Sequence, residues 1–168
     1  MLEELTLKGC IEFAITTEAY GAEHYARLAE KFSQDPEITK IFSRLSEDEL
    51  VHKQQFTELL AKSLQAGAKD PPPEKSDYLK AMSYSAFFSP YQGPFKDIDA
   101  VEGRNDALQR ALEFEKATLG FYKAFEDVNG SSDLLTKIID AEKNHIIVVM
   151  KALLVDGSKF RSLQDSWS

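Results

Sequence analysis

The chain has 168 residues, 43% hydrophobic and 29% charged, a length and balance that suit one globular domain with a real core. Its net charge is −8 and no basic stripe appears anywhere, which excludes nucleic acid as a partner because phosphate backbones call for clustered Lys and Arg. The single cysteine, Cys10, excludes an internal disulfide and any four-cysteine metal site within the chain.

The opening residues Met1-Leu2-Glu3-Glu4 are acidic where a secretory leader would be basic, and no apolar run approaches the roughly 18 residues of a membrane span. A cytoplasmic protein with no membrane association is expected. In the first helical segment Leu7, Ile11, Ala14, Glu18, Ala22, Tyr25, Leu28 and Phe32 recur at steps of three or four and share one stripe. Cys10, between Gly9 and Ile11, reads there as a small core residue. The second segment opens with Asp35-Pro36-Glu37, an N-cap followed by proline at the first helical position and an acid against the helix dipole. From there Ile38, Ile41, Leu45, Glu49, His52, Phe56 and Leu59 or Leu60 share a face.

A connector of about forty residues follows, roughly 67–105, with Pro71-Pro72-Pro73 and Ser89-Pro90-Tyr91-Gln92-Gly93-Pro94. Within it Tyr78 to Phe88 predicts a short helix capping the bundle in preference to the alternative, a mobile lid, because Tyr84, Phe87, Phe88 and Phe95 need burial. The third helix starts near Asp106, aligns Leu108, Leu112, Glu115, Leu119, Tyr122 and Phe125, and stops at Asn129-Gly130. Ser131 or Ser132 can cap the fourth, where Leu135, Ile138, Glu142, His145, Val149 and Ala152 share a stripe and Asp156-Gly157 closes it. The expected fold is all-α, a four-helix bundle built as one domain over 1–168. An antiparallel hairpin at about 3–66 and another at about 106–157 are joined by a long crossover at about 67–105.

Each hairpin carries one glutamate on its first helix and Glu-x-x-His on its second: Glu18 with Glu49 and His52, then Glu115 with Glu142 and His145. The glutamate-to-glutamate gaps are 31 and 27 residues. Counted from the turn, Glu18 and Glu49 stand at the same height, both ~20 Å away at ~1.5 Å per residue. A lone Glu-x-x-His on a helix is common by chance. Two of them, each paired with a glutamate on an apolar stripe, place four carboxylates and two imidazoles inside one bundle, and desolvated carboxylates so close require cations or protons. Two divalent ions would balance the four charges. Oxygen and imidazole donors suit Fe, Mn, Zn or Co rather than a thiolate-selecting ion. Which glutamates would bridge the ions stays open at this level.

Tyr25 follows Glu18 by seven residues and Tyr122 follows Glu115 by seven, two turns along the same face. They read equally as core aromatics, as hydrogen-bond donors to a ligand carboxylate or as redox-active neighbours of the ions. His24, six residues past Glu18, points away from the ligand stripe and reads as a surface histidine. Glu113 is off the stripe of Leu112 and Leu119, and Glu23, Glu30, Glu47 and Asp48 read as solvent-facing.

The segments Ile11-Glu12-Phe13-Ala14-Ile15-Thr16-Thr17-Glu18 and Ala111-Leu112-Glu113-Phe114-Glu115-Lys116, with the two Glu-x-x-His pairs, resemble the rubrerythrin-type members of the ferritin-like di-iron carboxylate superfamily. The resemblance implies a four-helix bundle with two iron ions held by Glu18, Glu49, His52, Glu115, Glu142 and His145. It implies a homodimer or larger homo-oligomer that reduces peroxide or dioxygen, or oxidises ferrous iron. Full-length rubrerythrins add a rubredoxin-like domain with four cysteines, absent here, so electrons would come from a separate donor protein. Rubrerythrins also place a further glutamate one turn after the third-helix ligand, where this chain has Thr118, and the symmetrical pair of histidines is closer to bacterioferritin. The expected function is a di-iron oxidoreductase. Ferrous iron oxidation or handling, and a bundle merely stabilised by metal, are the alternatives.

Overall fold

Capping decides where the helices begin. Thr6 Oγ1 accepts from Gly9 N at 2.9 Å and starts α1, Leu7–Lys31. Asp35 Oδ1 accepts from Ile38 N at 3.2 Å and starts α2, Pro36–Gln65, with the proline in the first turn. After the connector helix α3, Pro73–Phe87, and a 3₁₀ turn at Ile98–Ala100 come α4, Arg104–Asn129, and α5, Asp133–Val155. The α4–α5 turn uses Gly130 at φ 88°, a left-handed position that favours glycine, and Ser132 Oγ then accepts from Leu135 N at 3.2 Å to cap α5.

This computed structural model describes residues 6–87 and 94–155, with the side chains of 83–87 left out. The expected stop at Asp156-Gly157 and the expected burial of Tyr84, Phe87 and Phe88 lie outside the described residues. Among the described residues all regular structure is helical, and no helix is long and apolar enough to cross a membrane.

Two apolar layers form the core. One joins Tyr25 and Leu28 of α1, Ile38, Phe42 and Leu45 of α2, Leu108, Leu112 and Phe114 of α4 and Val149 of α5. The other joins Cys10, Ile11 and Ala14 of α1, Phe56 of α2, Phe121, Tyr122 and Phe125 of α4 and Leu135 and Ile138 of α5. The first layer therefore collects the late turns of α1 and α5 with the early turns of α2 and α4. Arg104, at the start of α4, agrees with this by reaching Asp35 and Glu37 at the start of α2, each at 3.2 Å. Each fully buried large apolar side chain in these layers stabilises the fold by about 1.5–3 kcal/mol.

The connector helix differs from expectation. It begins at Pro73 rather than near Tyr78, because the proline run itself supplies a good first turn, with Lys75 N and Ser76 N bonding back to Pro72 O at 3.0 Å. It also lies along α4 instead of across a bundle end: buried Leu79 joins the Phe121–Phe125 layer, and Met82 Cε would sit 3.6 Å from a Cβ at Gly120. Phe95 is buried as expected, against Tyr25 and Phe114.

Candidate metal centre

Between the two apolar layers, at mid-height, the four bundle helices contribute a polar layer. Glu18 on α1, Glu49 and His52 on α2, Glu115 on α4, and Glu142 and His145 on α5 are all buried, the four glutamates at 0% exposure. Helical spacing explains the arrangement: three residues is nearly one turn, so each Glu-x-x-His presents both groups on one face. Glu49, His52, Glu142 and His145 each offer a ligating atom within 4.8 Å of the other three. The two imidazoles lie side by side, ring centroids 5.3 Å apart.

The carboxylates divide into two kinds. Glu49 and Glu142 each turn one oxygen toward each histidine. Glu49 Oε2 is 3.5 Å from His52 Nδ1 and Oε1 is 3.5 Å from His145 Nδ1, while Glu142 Oε1 and Oε2 lie at 2.8 Å and 3.7 Å from the same two nitrogens. Glu18 and Glu115 each face one histidine, at 3.3 Å from His52 Nδ1 and 3.2 Å from His145 Nδ1 respectively. Their outer oxygens are taken by the two tyrosines, and the pairing is crossed. Tyr25 of α1 donates to Glu115 of α4, and Tyr122 of α4 donates to Glu18 of α1. Tyr25 and Tyr122 are thus hydrogen-bond donors to the carboxylates as well as core aromatics.

Electrostatics shows what this cluster does without cations. Burial, then repulsion from Glu49, pushes the Glu18 carboxyl well above the usual range, and burial with Glu49 and Glu142 does the same to Glu115. Burial opposes charge on Glu49 and Glu142 too, and repulsion from Glu49 adds to it at Glu142, but the Glu18 carboxyl and then both histidines outweigh it at Glu49, and the two histidines do so at Glu142, so both lie below the usual range. Burial likewise opposes a proton on His52, yet Glu142, Glu18 and Glu49 push it up to about 12, and Glu115, Glu142 and Glu49 push His145 well above its ordinary value. The metal-free layer is then neutral: two imidazolium charges against two carboxylates, the other two carboxylates holding protons.

That neutrality leaves polar atoms stranded. Glu18 Oε2, both oxygens of Glu49, Glu142 Oε1 and His52 Nδ1 are buried with no aligned hydrogen-bond partner. Buried polar atoms without an aligned hydrogen bond are rare because each costs about 1–3 kcal/mol. Five in one layer, all oxygen or imidazole nitrogen, fit cations of the Fe, Mn and Zn kind.

Residues 10–85 match the family model of rubrerythrin. This segment of the chain is similar to rubrerythrin. The match spans α1, α2 and most of α3, just under half of the sequence, and carries Glu18, Glu49 and His52. The second hairpin repeats the Glu and Glu-x-x-His spacing beyond the matched segment. Comparisons with curated proteins and with solved structures give no match.

Two residues of the bundle correct the sequence reading. Asp48 is not simply solvent-facing: its side chain is 29% exposed and its Oδ2 lies 3.3 Å from His145 Nε2, on the far side of the ring from the carboxylates. His24 is not a surface histidine. It is 8% exposed, stacked on Phe95 at 5.0 Å between centroids, with Nδ1 2.7 Å from Tyr20 O, and burial holds it below the ordinary imidazole value. Phe95 of the connector covers that face of α1, which helical periodicity alone does not reveal. Glu23, Glu30, Glu47 and Glu113 are exposed, as expected. Thr118, where rubrerythrins carry glutamate, is buried and its hydroxyl lies 3.2 Å from Glu142 Oε2 and 3.0 Å from Glu115 O.

Gly21 supplies close approach. A Cβ there would stand 2.7 Å from Phe114 Cε1 and 3.4 Å from Glu49 Cγ. The Phe114 ring is fully buried against Tyr25 and Phe95 and cannot swing clear. Gly21→Ala is therefore expected to destabilise the protein by about 1–2 kcal/mol in urea unfolding, overpacking outweighing the helix propensity of alanine; a stabilised variant would show that the ring yields.

Proposed function

We propose that the chain is a di-iron carboxylate oxidoreductase that reduces peroxide or dioxygen, with electrons supplied by a separate donor protein. The observation that carries this reading is the buried layer of four glutamates and two histidines whose stranded atoms face one another. In it, Glu18 and His52 would serve one ion, Glu115 and His145 the other, and Glu49 and Glu142, each with one oxygen toward each histidine, would bridge them. The rubrerythrin match over residues 10–85 supports the choice of iron and of an oxygen-derived oxidant.

A pair of iron ions supplies two one-electron steps when bound, the number needed to take one hydrogen peroxide and two protons to two water molecules. The protein's own contribution is positional. Tyr25 and Tyr122 hold the outer oxygens of Glu115 and Glu18, and burial, then the Glu115 charge, keeps the Tyr25 phenol well above its ordinary value, so it stays a donor at neutral pH. The apolar layers above and below exclude bulk water from the cluster, which strengthens every charge interaction inside it. The Thr118 hydroxyl stands against Glu142 Oε2, a neutral donor at a place where a carboxylate would add a further negative charge.

Stopped-flow mixing of the anaerobic, iron(II)-loaded protein with hydrogen peroxide, and separately with dioxygen, tests the reading. Oxidation by peroxide or dioxygen faster than that of free ferrous iron, followed by re-reduction without loss of iron, is expected. Rates no faster than free iron with either oxidant would overturn it, and fast oxidation by dioxygen with release of ferric iron would replace it by iron handling.

A further inference from the structure

The two hairpins repeat the ligating groups but not what stands behind them. His145 turns Nδ1 to the carboxylates and Nε2 to Asp48 Oδ2 at 3.3 Å. Asp48, one residue before Glu49, is itself oriented by Arg44, whose Nε lies 3.0 Å from each carboxylate oxygen. The counterpart of Asp48 in the second hairpin is the residue before Glu142, which is Ala141. Like Asp48 it is half-buried, but it offers no acceptor. Among the described residues, every ion-pair contact of His52 runs through Nδ1, and the buried Oε1 of Gln55, one turn along α2, makes no hydrogen bond.

The difference has a chemical consequence. An imidazole that binds a cation through Nδ1 must carry its proton on Nε2, and a carboxylate accepting that proton selects the tautomer, fixes the ring and raises the basicity of Nδ1. Loss of such a partner costs about 10–100-fold in metal affinity. Thr118 adds to the imbalance: its hydroxyl contacts Glu142 Oε2, the oxygen on the His145 side, whereas its counterpart on α1 is Gly21, with no side chain to give Glu49.

Building on the dinuclear reading above, we infer that the two ion positions are unequal, that the one at His145 and Glu115 fills first, and that Asp48 is the positioning residue responsible.

The test loads the full chain anaerobically with one equivalent of ferrous iron and measures iron occupancy at each position by anomalous diffraction, with calorimetric titration alongside. In the wild type, iron concentrated at His145 and two dissociation constants about 10–100-fold apart are expected. Asp48→Asn keeps the shape and removes the charge, and should bring the two occupancies together by weakening the His145 position. Ala141→Asp should bring them together from the other direction, by strengthening the His52 position without touching Asp48. Equal occupancy in the wild type, or filling of the His52 position first, overturns the inference and leaves the dinuclear reading intact. Iron at neither position overturns both.

Discussion

Anaerobic ferrous iron is expected to raise the unfolding temperature of the metal-free protein, and the gain is expected to widen as pH rises from about 6 to about 8.5, a window set by the ordinary imidazole value. The sign follows from the protons that the layer holds. Glu18, Glu115, His52 and His145 all have folded values raised above their ordinary ones. Their contribution to the metal-free fold is complete below the ordinary values of 4.5 for the carboxyls and 6.5 for the imidazoles, and is lost as pH climbs toward the folded values, about 12 for His52. Glu49 and Glu142, held low, act oppositely and lose their contribution only as pH falls below 4.5. Metal-free protein should therefore be most stable on the mildly acidic side.

Iron is expected to reverse this trend. Seating two divalent ions requires the four raised groups to release their protons, about two per ion, so affinity climbs with pH by up to roughly two decades per unit. With free iron about 100-fold above its dissociation constant, each position adds about 3 kcal/mol. For a chain of this length that is roughly 6–12 °C. Calorimetric scans across the pH series, with the released protons counted by repeating the titration in buffers of different ionisation enthalpy, check both halves. A temperature gain that is flat or shrinks with pH would sink the assignment of these four groups.

The second large effect separates the glutamates. In metal-free protein, Glu49→Gln or Glu142→Gln removes one of the two ionised carboxylates that offset His52 and His145, leaving buried positive charge uncompensated. Each is expected to cost about 3–5 kcal/mol in urea unfolding. Glu18→Gln and Glu115→Gln replace a carboxyl that already holds its proton by a neutral group of the same shape, so each should change metal-free stability by less than about 1 kcal/mol. Loading should also discriminate. In the proposed arrangement a bridging position would touch both ions, so Glu49→Gln and Glu142→Gln should weaken both, while Glu18→Gln should weaken only the ion at His52 and Glu115→Gln only the ion at His145. Equal costs for all four variants, in either measurement, would contradict the division.

The helices and the six polar residues were legible because both depend on local period. Glu18, Glu49, Glu115 and Glu142 interrupt apolar stripes at intervals that only a helix aligns, and Asp35, Gly130 and Ser132 mark helix ends by chemistry confined to a few residues. The division of the four carboxylates into two kinds was not legible. It depends on each of Glu49 and Glu142 turning one oxygen to each histidine across the bundle, a matter of side-chain direction rather than spacing. Asp48 was misread for a related reason: its partner His145 lies 97 residues away. On its own helix, Asp48 merely precedes Glu49 by 100° of turn. His24 was misread because its cover, Phe95, comes from a connector with no periodic pattern to place it.

The crossed phenol contacts bear on the order of events during synthesis. Tyr25 meets Glu115 across 90 residues and Tyr122 meets Glu18 across 104. A nascent chain that has emerged only through α2 owns one of the two cluster histidines, two of the four cluster carboxylates and neither latch. Under the proposed dinuclear reading, competence to capture iron would thus arrive in one step, when the halves dock, and half-made chains would be spared from holding a reactive ion in an open, water-filled cradle.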